Sequence, residues 1–214
     1  MRKLLFITLL STSFLTSSEE TISRWMSDYF KRIHDHIGNE NYEKAQYELE
    51  MGNNNYFRGG RTYEAALLYQ LYGQFYAVQS QYTSAVPWFE KALATEKMPR
   101  IGAQEVRFQL AQTYFMIGKY ENVISLLDEF IRVGERYKYP VSARVNLLMS
   151  YSHGRLEQYE PSYFHIKQAN NKSDKPQLDW IEYAFSLAMK LENLDDAEDL
   201  GTRLLFLEPN KKKY

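Results

Sequence analysis

Apolar residues recur at helical spacing along most of the chain, and the periodic runs come in pairs. In the stretch YQLYGQFYAVQSQYTSAVPWFEKA, large residues fall at Tyr69, Tyr72, Tyr76 and Tyr82, and small ones at Gly73, Ala85 and Ala92, with Phe89 between. Gly73 and Tyr76 share one face of a first predicted helix; Ala85, Phe89 and Ala92 share one face of a second. The bend over Gln79 to Tyr82 is short, so the two helices must run antiparallel, and their small residues permit close approach. A hairpin of this kind cannot cover its own apolar face. It predicts neighbours like itself.

The remaining sequence supplies them. Residues 19–38 carry Ile22, Trp25, Met26, Tyr29, Ile33 and Ile37 at helical spacing, then a break at Gly38 to Glu40, then Tyr42, Ala45 and Leu49. The segment GNNNYFRGGRT, residues 52–62, is rich in turn formers and reads as a loop. A third pair spans 102–133, with Leu110, Ala111 and Tyr114 before the turn at Gly118 and Tyr120, then Val123 and Leu127; a break is expected over Gly134 to Pro140. A fourth places Met149, Ser150 and His153 before Tyr159, with Pro161 in the first turn of its second helix, where a missing N–H costs little. Ser162, Ile166 and Ala169 follow, and a fifth pair carries Ile181, Ala184, Phe185, Ala188, then Leu194, Ala197, Leu204 and Pro209. The turns at Tyr42, Tyr82, Tyr120, Tyr159 and Leu194 are separated by 40, 38, 39 and 35 residues. One helical hairpin per near-constant period predicts an all-α fold, an α-solenoid of about five hairpins over roughly 22–52, 63–98, 102–134, 142–170 and 177–209.

Composition narrows the chemistry. With 44% hydrophobic and 25% charged residues, the 214-residue chain is globular in type. It contains no cysteine, which excludes disulfides, thiolate zinc sites, cysteine nucleophiles and lipidation of a cysteine. Arg2 and Lys3 precede the apolar run Leu4 to Leu10, and Thr16, Ser17 and Ser18 precede Glu19. That order predicts a secretory signal peptide over residues 1–18, cut near Ser18, with a mature domain over 19–214. The mature chain then carries 24 basic against 27 acidic residues and no basic stripe, so no nucleic-acid partner is expected.

The large, large-small, aromatic, then Ala, Phe, Ala order of Tyr69, Tyr72-Gly73, Tyr76, Ala85, Phe89 and Ala92 resembles the tetratricopeptide repeat, with Pro99 two residues late. The third pair keeps Leu110-Ala111, Tyr114, Gly118 and Tyr120 but departs at Arg107, Val123 and Phe130; the fourth has His153 for the aromatic. The fifth has Gly201 where a large residue belongs, and the first is off-pattern at His36 and Gly52. The resemblance implies a right-handed solenoid whose first helices line a concave groove. A narrower resemblance joins the N-terminal segment, the central ALLYQLYGQFYAVQSQYTSAVPWFEKAL and the ending LLFLEPNKKKY. Together they are similar to the periplasmic tetratricopeptide proteins encoded beside TonB, ExbB and ExbD. This implies a periplasmic accessory of TonB-dependent uptake; an envelope-assembly scaffold and a non-catalytic subunit of a cell-wall enzyme complex are the alternatives.

No phosphate loop, H-E-x-x-H, G-x-S-x-G or calcium loop is present, so neither an enzyme, a cofactor, a metal site nor a small-molecule substrate is expected. His34 and His36, two apart on a helix, cannot chelate one metal together. Arg58-Gly59-Gly60-Arg61 lacks the context of an anion site, and Lys211 to Lys213 reads as a solvated tail. What remains is the groove that the resemblance implies. It would present Phe30, His34, Gln70, Gln74, Phe108, Gln112, Phe115, Met116, Arg144, Tyr151, Arg155 and Glu182, with Leu147 and Ser186 between. Phe108, Phe115 and Met116 would form an apolar centre beside Gln74 and Gln112; Arg144 and Arg155 could receive carboxylates. A register one residue off would instead put Phe108 and Phe115 in the core. The expected partner is a protein or peptide segment. Leu200, Leu204 and Leu207 of the last helix are expected to lack a cover, which predicts a missing capping helix or self-association there.

Overall fold

The computed structural model describes residues 22–56 and 62–207. The expected signal segment 1–18, the Arg58 to Arg61 turn, Pro209 and the Lys211 to Lys213 tail lie outside the described residues. Ten α-helices are present among them: α1 (Arg24–Gly38), α2 (Tyr42–Met51), α3 (Tyr63–Val78), α4 (Tyr82–Ala94), α5 (Arg100–Met116), α6 (Tyr120–Tyr137), α7 (Ala143–Arg155), α8 (Tyr159–Asn171), α9 (Leu178–Lys190) and α10 (Leu194–Leu207). They fall into two compact units, one ending at Lys119 with α1 to α5 and one starting at Tyr120 with α6 to α10.

The helix pairs share one kind of turn. Glu40, Ser80, Gly118, Glu157 and Glu192 take left-handed backbone angles, with φ of 58°, 62°, 77°, 58° and 56°. One residue on, the amides of Asn41, Gln81, Lys119, Gln158 and Asn193 donate to the carbonyls of His36, Tyr76, Tyr114, His153 and Ala188, at 2.8–3.0 Å. This left-handed ending caps a last carbonyl that the helix itself cannot satisfy. The second helix starts at once, at the five positions the sequence period predicts.

Three residues into each second helix, Ala45, Ala85, Val123, Ser162 and Ala197 are buried. Seven in, Leu49, Phe89, Leu127 and Ile166 are buried large residues, and the fifth place is Gly201. In α3–α4 the small residue lies on the first helix: a Cβ on Gly73 would fall 2.6 Å from the Phe89 ring. In α9–α10 the sizes are exchanged. Phe185 stands where Gly73 stands in its hairpin, and a Cβ on Gly201 would be 3.4 Å from the Phe185 ring. The departure at Gly201 is thus one half of a compensated pair. The α7–α8 crossing is polar instead: Ser150 Oγ donates to the Ser162 carbonyl at 2.7 Å, and Ser162 Oγ to the Ser150 carbonyl at 2.9 Å.

Four expectations are corrected. The helix expected from residue 19 begins, among the described residues, at Arg24, where the Ser23 hydroxyl caps the Met26 amide. Gly52 to Tyr56, expected as loop, continues α2 as a π-turn. There the Tyr29 hydroxyl donates to the Glu48 carbonyl, and Gly52 packs so close to Tyr29 and Leu68 that a side chain would collide. Gly134 does not break α6, which runs to Tyr137; the Tyr139 amide returns to the Gly134 carbonyl at 2.8 Å. Finally, Leu200 is buried, so the uncovered end of α10 consists of Leu205, Phe206 and Leu207.

Candidate interaction surface

In the first unit, α5 packs against α4 and is tied to it by the Tyr114 hydroxyl, which donates to Glu90 at 2.5 Å. Burial first, then that bond, pushes the Tyr114 phenol up to about 12. Val106, Leu110, Ala111 and Tyr114 occupy the core. This pins the rotation of α5 and decides where its other residues point.

Phe108, Phe115 and Met116 are all half-buried, none of them a core residue, so the one-off register is not the one adopted. Gln70 and Gln74 on α3 and Gln112 on α5 are buried, not open as expected of groove residues. Gln70 and Gln74 commit their amides to a shared acceptor, Gln109 Oε1, at 3.3 and 3.4 Å. Gln104 is buried too and accepts from Arg107 at 2.8 Å. The amides thus form a buried polar layer between α3 and α5, with the three large apolar side chains left half-covered on α5. Buried amides hold such a layer in register because each unsatisfied group would be costly.

Phe30 is corrected outright: at 1% exposure it is core, packed beside Tyr29 in a cluster with Ile33 and Ile37. His34 is half-buried, 4.0 Å from Asp35.

In the second unit, Arg144, Arg155 and Glu182 are exposed, and Leu147 is buried. Tyr151 is half-buried, its ring 5.1 Å from that of Tyr183. Its phenol is raised to about 12 by burial, with smaller contributions from Asp179 and Tyr183. A shallow cavity of about 400 Å³ also opens beside α8, lined by Tyr163, Phe164, Lys167 and Leu191 among others. The charged end of Lys167 is held by Asp196 at 2.7 Å. No sequence motif pointed to that cavity.

Two residues of the α5 surface escaped the sequence reading. Gln109, the acceptor at the centre of the amide layer, has no periodic signal that separates it from its neighbours. Glu105 does: it stands three residues before Phe108 and seven before Gln112, on the same helical face.

No protein-family model matches the sequence, and no curated protein does. Solved structures do match. MamA from Desulfovibrio magneticus RS-1 is 16% identical, with a TM-score of 0.68 over 90% of this chain and 100% of that one. YrrB, described as a TPR protein with an unusual peptide-binding site, is 14% identical with a TM-score of 0.67 over 86% of each chain. A signal-transduction ATPase with a tetratricopeptide repeat sensor, from Pyrococcus horikoshii, is 17% identical with a TM-score of 0.73 over 87% of this chain and 30% of its own. The fold is therefore the all-α helical-hairpin solenoid of tetratricopeptide-repeat proteins.

Proposed function

We propose that the protein is a non-catalytic adaptor of the periplasm that captures a segment of a partner protein, as an accessory of a TonB–ExbB–ExbD energy-transduction system. The observation that carries the capture reading is the row Phe108, Phe115 and Met116, half-covered on α5 above a buried layer of amides. Large apolar side chains on a rigid, polar-backed helix suit the anchoring of an extended or helical segment, which gains affinity from a few buried contacts. A peptide-binding site in YrrB, which shares the fold, supports the same reading. The periplasmic setting rests on the order of charged, apolar and small residues at the N-terminus. The TonB context rests on the resemblance of the central segment and the ending.

Affinity capture from envelope extract tests both parts, with wild type beside a Phe108→Ala/Met116→Ala variant. TonB-system proteins retained by wild type and lost by the variant are the expected result. Equal retention by both would remove the surface and leave the context. Retention of other envelope proteins alone would overturn the TonB assignment and favour an assembly scaffold.

A further inference from the structure

We infer that the segment captured on α5 presents a cationic side chain, lysine or arginine, and that Glu105 receives it. The inference rests on the capture reading above and names the chemistry of its ligand. Glu105, Phe108 and Gln112 follow one another at i, i+3 and i+7, one stripe of one helix. Glu105 is half-buried, and among the described residues no ion pair or hydrogen bond engages its carboxylate. The nearest cation in sequence, Arg107, is turned to Gln104 instead. Partial burial raises the Glu105 carboxyl above the usual carboxylate range.

A carboxylate partly withdrawn from water is less favourable than a fully hydrated one, and among the described residues no ion pair compensates this one at the edge of the apolar row. The amides of Gln70, Gln74 and Gln109 are neutral and bonded to one another, so they do not neutralise it. A metal ion is a poor fit, since no three of His, Cys, Asp and Glu gather among the described residues. A long cationic side chain fits better. Its charged end would meet Glu105, while its aliphatic stem lay along the ring of Phe108 one turn on. A cation at this place would also fix the register of the partner segment against Phe115 and Met116.

The test uses the full chain and a displayed library of random twelve-residue peptides. Peptides are kept if Phe108→Ala weakens them, with circular dichroism confirming that this variant stays helical. The expected consensus carries lysine or arginine at one position, and its replacement by norleucine in a synthetic peptide weakens binding about tenfold or more. Glu105→Gln, nearly the same in shape, weakens the parent peptide by a similar factor and leaves the norleucine peptide unchanged. Peptides that depend on Phe108 yet show no cationic consensus, or that bind Glu105→Gln as well as wild type, overturn the inference while the capture reading stands. If no selected peptide depends on Phe108, both fall.

Discussion

In α3–α4 the first helix is small where the pair crosses and the second is large, Gly73 against Phe89; in α9–α10 the first is large and the second small, Phe185 against Gly201. The two hairpins belong to different units and fill one geometric place with opposite choices. They are not equivalent in tightness. Gly73 has three Phe89 ring atoms within 2.6–2.8 Å of where a Cβ would stand, whereas Gly201 has Phe185 at ordinary contact distance, 3.4 Å. Phe89 is also fully buried and Phe185 only partly. These two crossings each set one large residue against one small one, as close-packed interiors allow, whereas α1–α2 buries two large residues, Ile33 and Leu49, at the same places.

The largest effect expected is at the tight crossing. Phe89→Ala should destabilise the first unit by about 3–5 kcal/mol, because a fully buried ring is lost and helices held by the turn at Ser80 cannot fully close the cavity. Urea unfolding followed by circular dichroism would measure it, and a loss under 1 kcal/mol would show that the ring is not the knob of this pair. Next come the matched glycine substitutions. Gly73→Ala should cost about 1–3 kcal/mol, since its Cβ overlaps the Phe89 ring and this outweighs the roughly 1 kcal/mol that alanine gains in a helix. Gly201→Ala, with no overlap, should be neutral or stabilising by up to about 1 kcal/mol. Equal losses at both would mean that the two crossings are equally tight.

A smaller effect separates the units by pH. In the second unit the His165 ring stacks on His153 at 5.5 Å, with Asn146 and Lys172 beside it and Asp128 acting on His153, and burial first, then His153 and Lys172, hold it down from 6.5 to about 4. The native ring is neutral where the unfolded chain is protonated. Its contribution is therefore complete above the ordinary value of 6.5 and is lost as pH falls through about 4. With the ring only partly buried, the loss should be on the order of 1 kcal/mol. His165→Gln should flatten the acid slope of urea midpoints between pH 7 and about 4.5; an unchanged slope would assign it elsewhere.

The smallest effect is at the turns. Ser80 and Glu157 occupy a left-handed place that Gly118 fills in the third pair, so Ser80→Gly or Glu157→Gly should each stabilise by roughly 0.5–1 kcal/mol. Differential scanning calorimetry that showed a lower melting temperature for both would mean the side chains matter more than the backbone strain.

The hairpins were legible because their signal is local. Tyr42, Tyr82, Tyr120, Tyr159 and Leu194 open the second helices, and the buried small or medium residues three positions later follow from helical spacing alone. The interaction surface was legible only in part. Phe108, Phe115 and Met116 lie on α5 as half-buried residues, but Phe30 took the same formal place on α1 and is buried. Repeat position gives a side chain's direction, while burial depends on the neighbouring pair.

By itself the sequence determined the period, the starts of the second helices and the pairing of adjacent helices. Each rests on contacts within about forty residues and on backbone geometry common to all chains. Only the tertiary structure decided that Gly201 is answered by Phe185, that Gln70 and Gln74 turn inward to Gln109, and that Glu105 has no ion-pair partner among the described residues. Those outcomes depend on which side chains meet across helices. A spacing pattern states where a residue points and is silent on what it finds there.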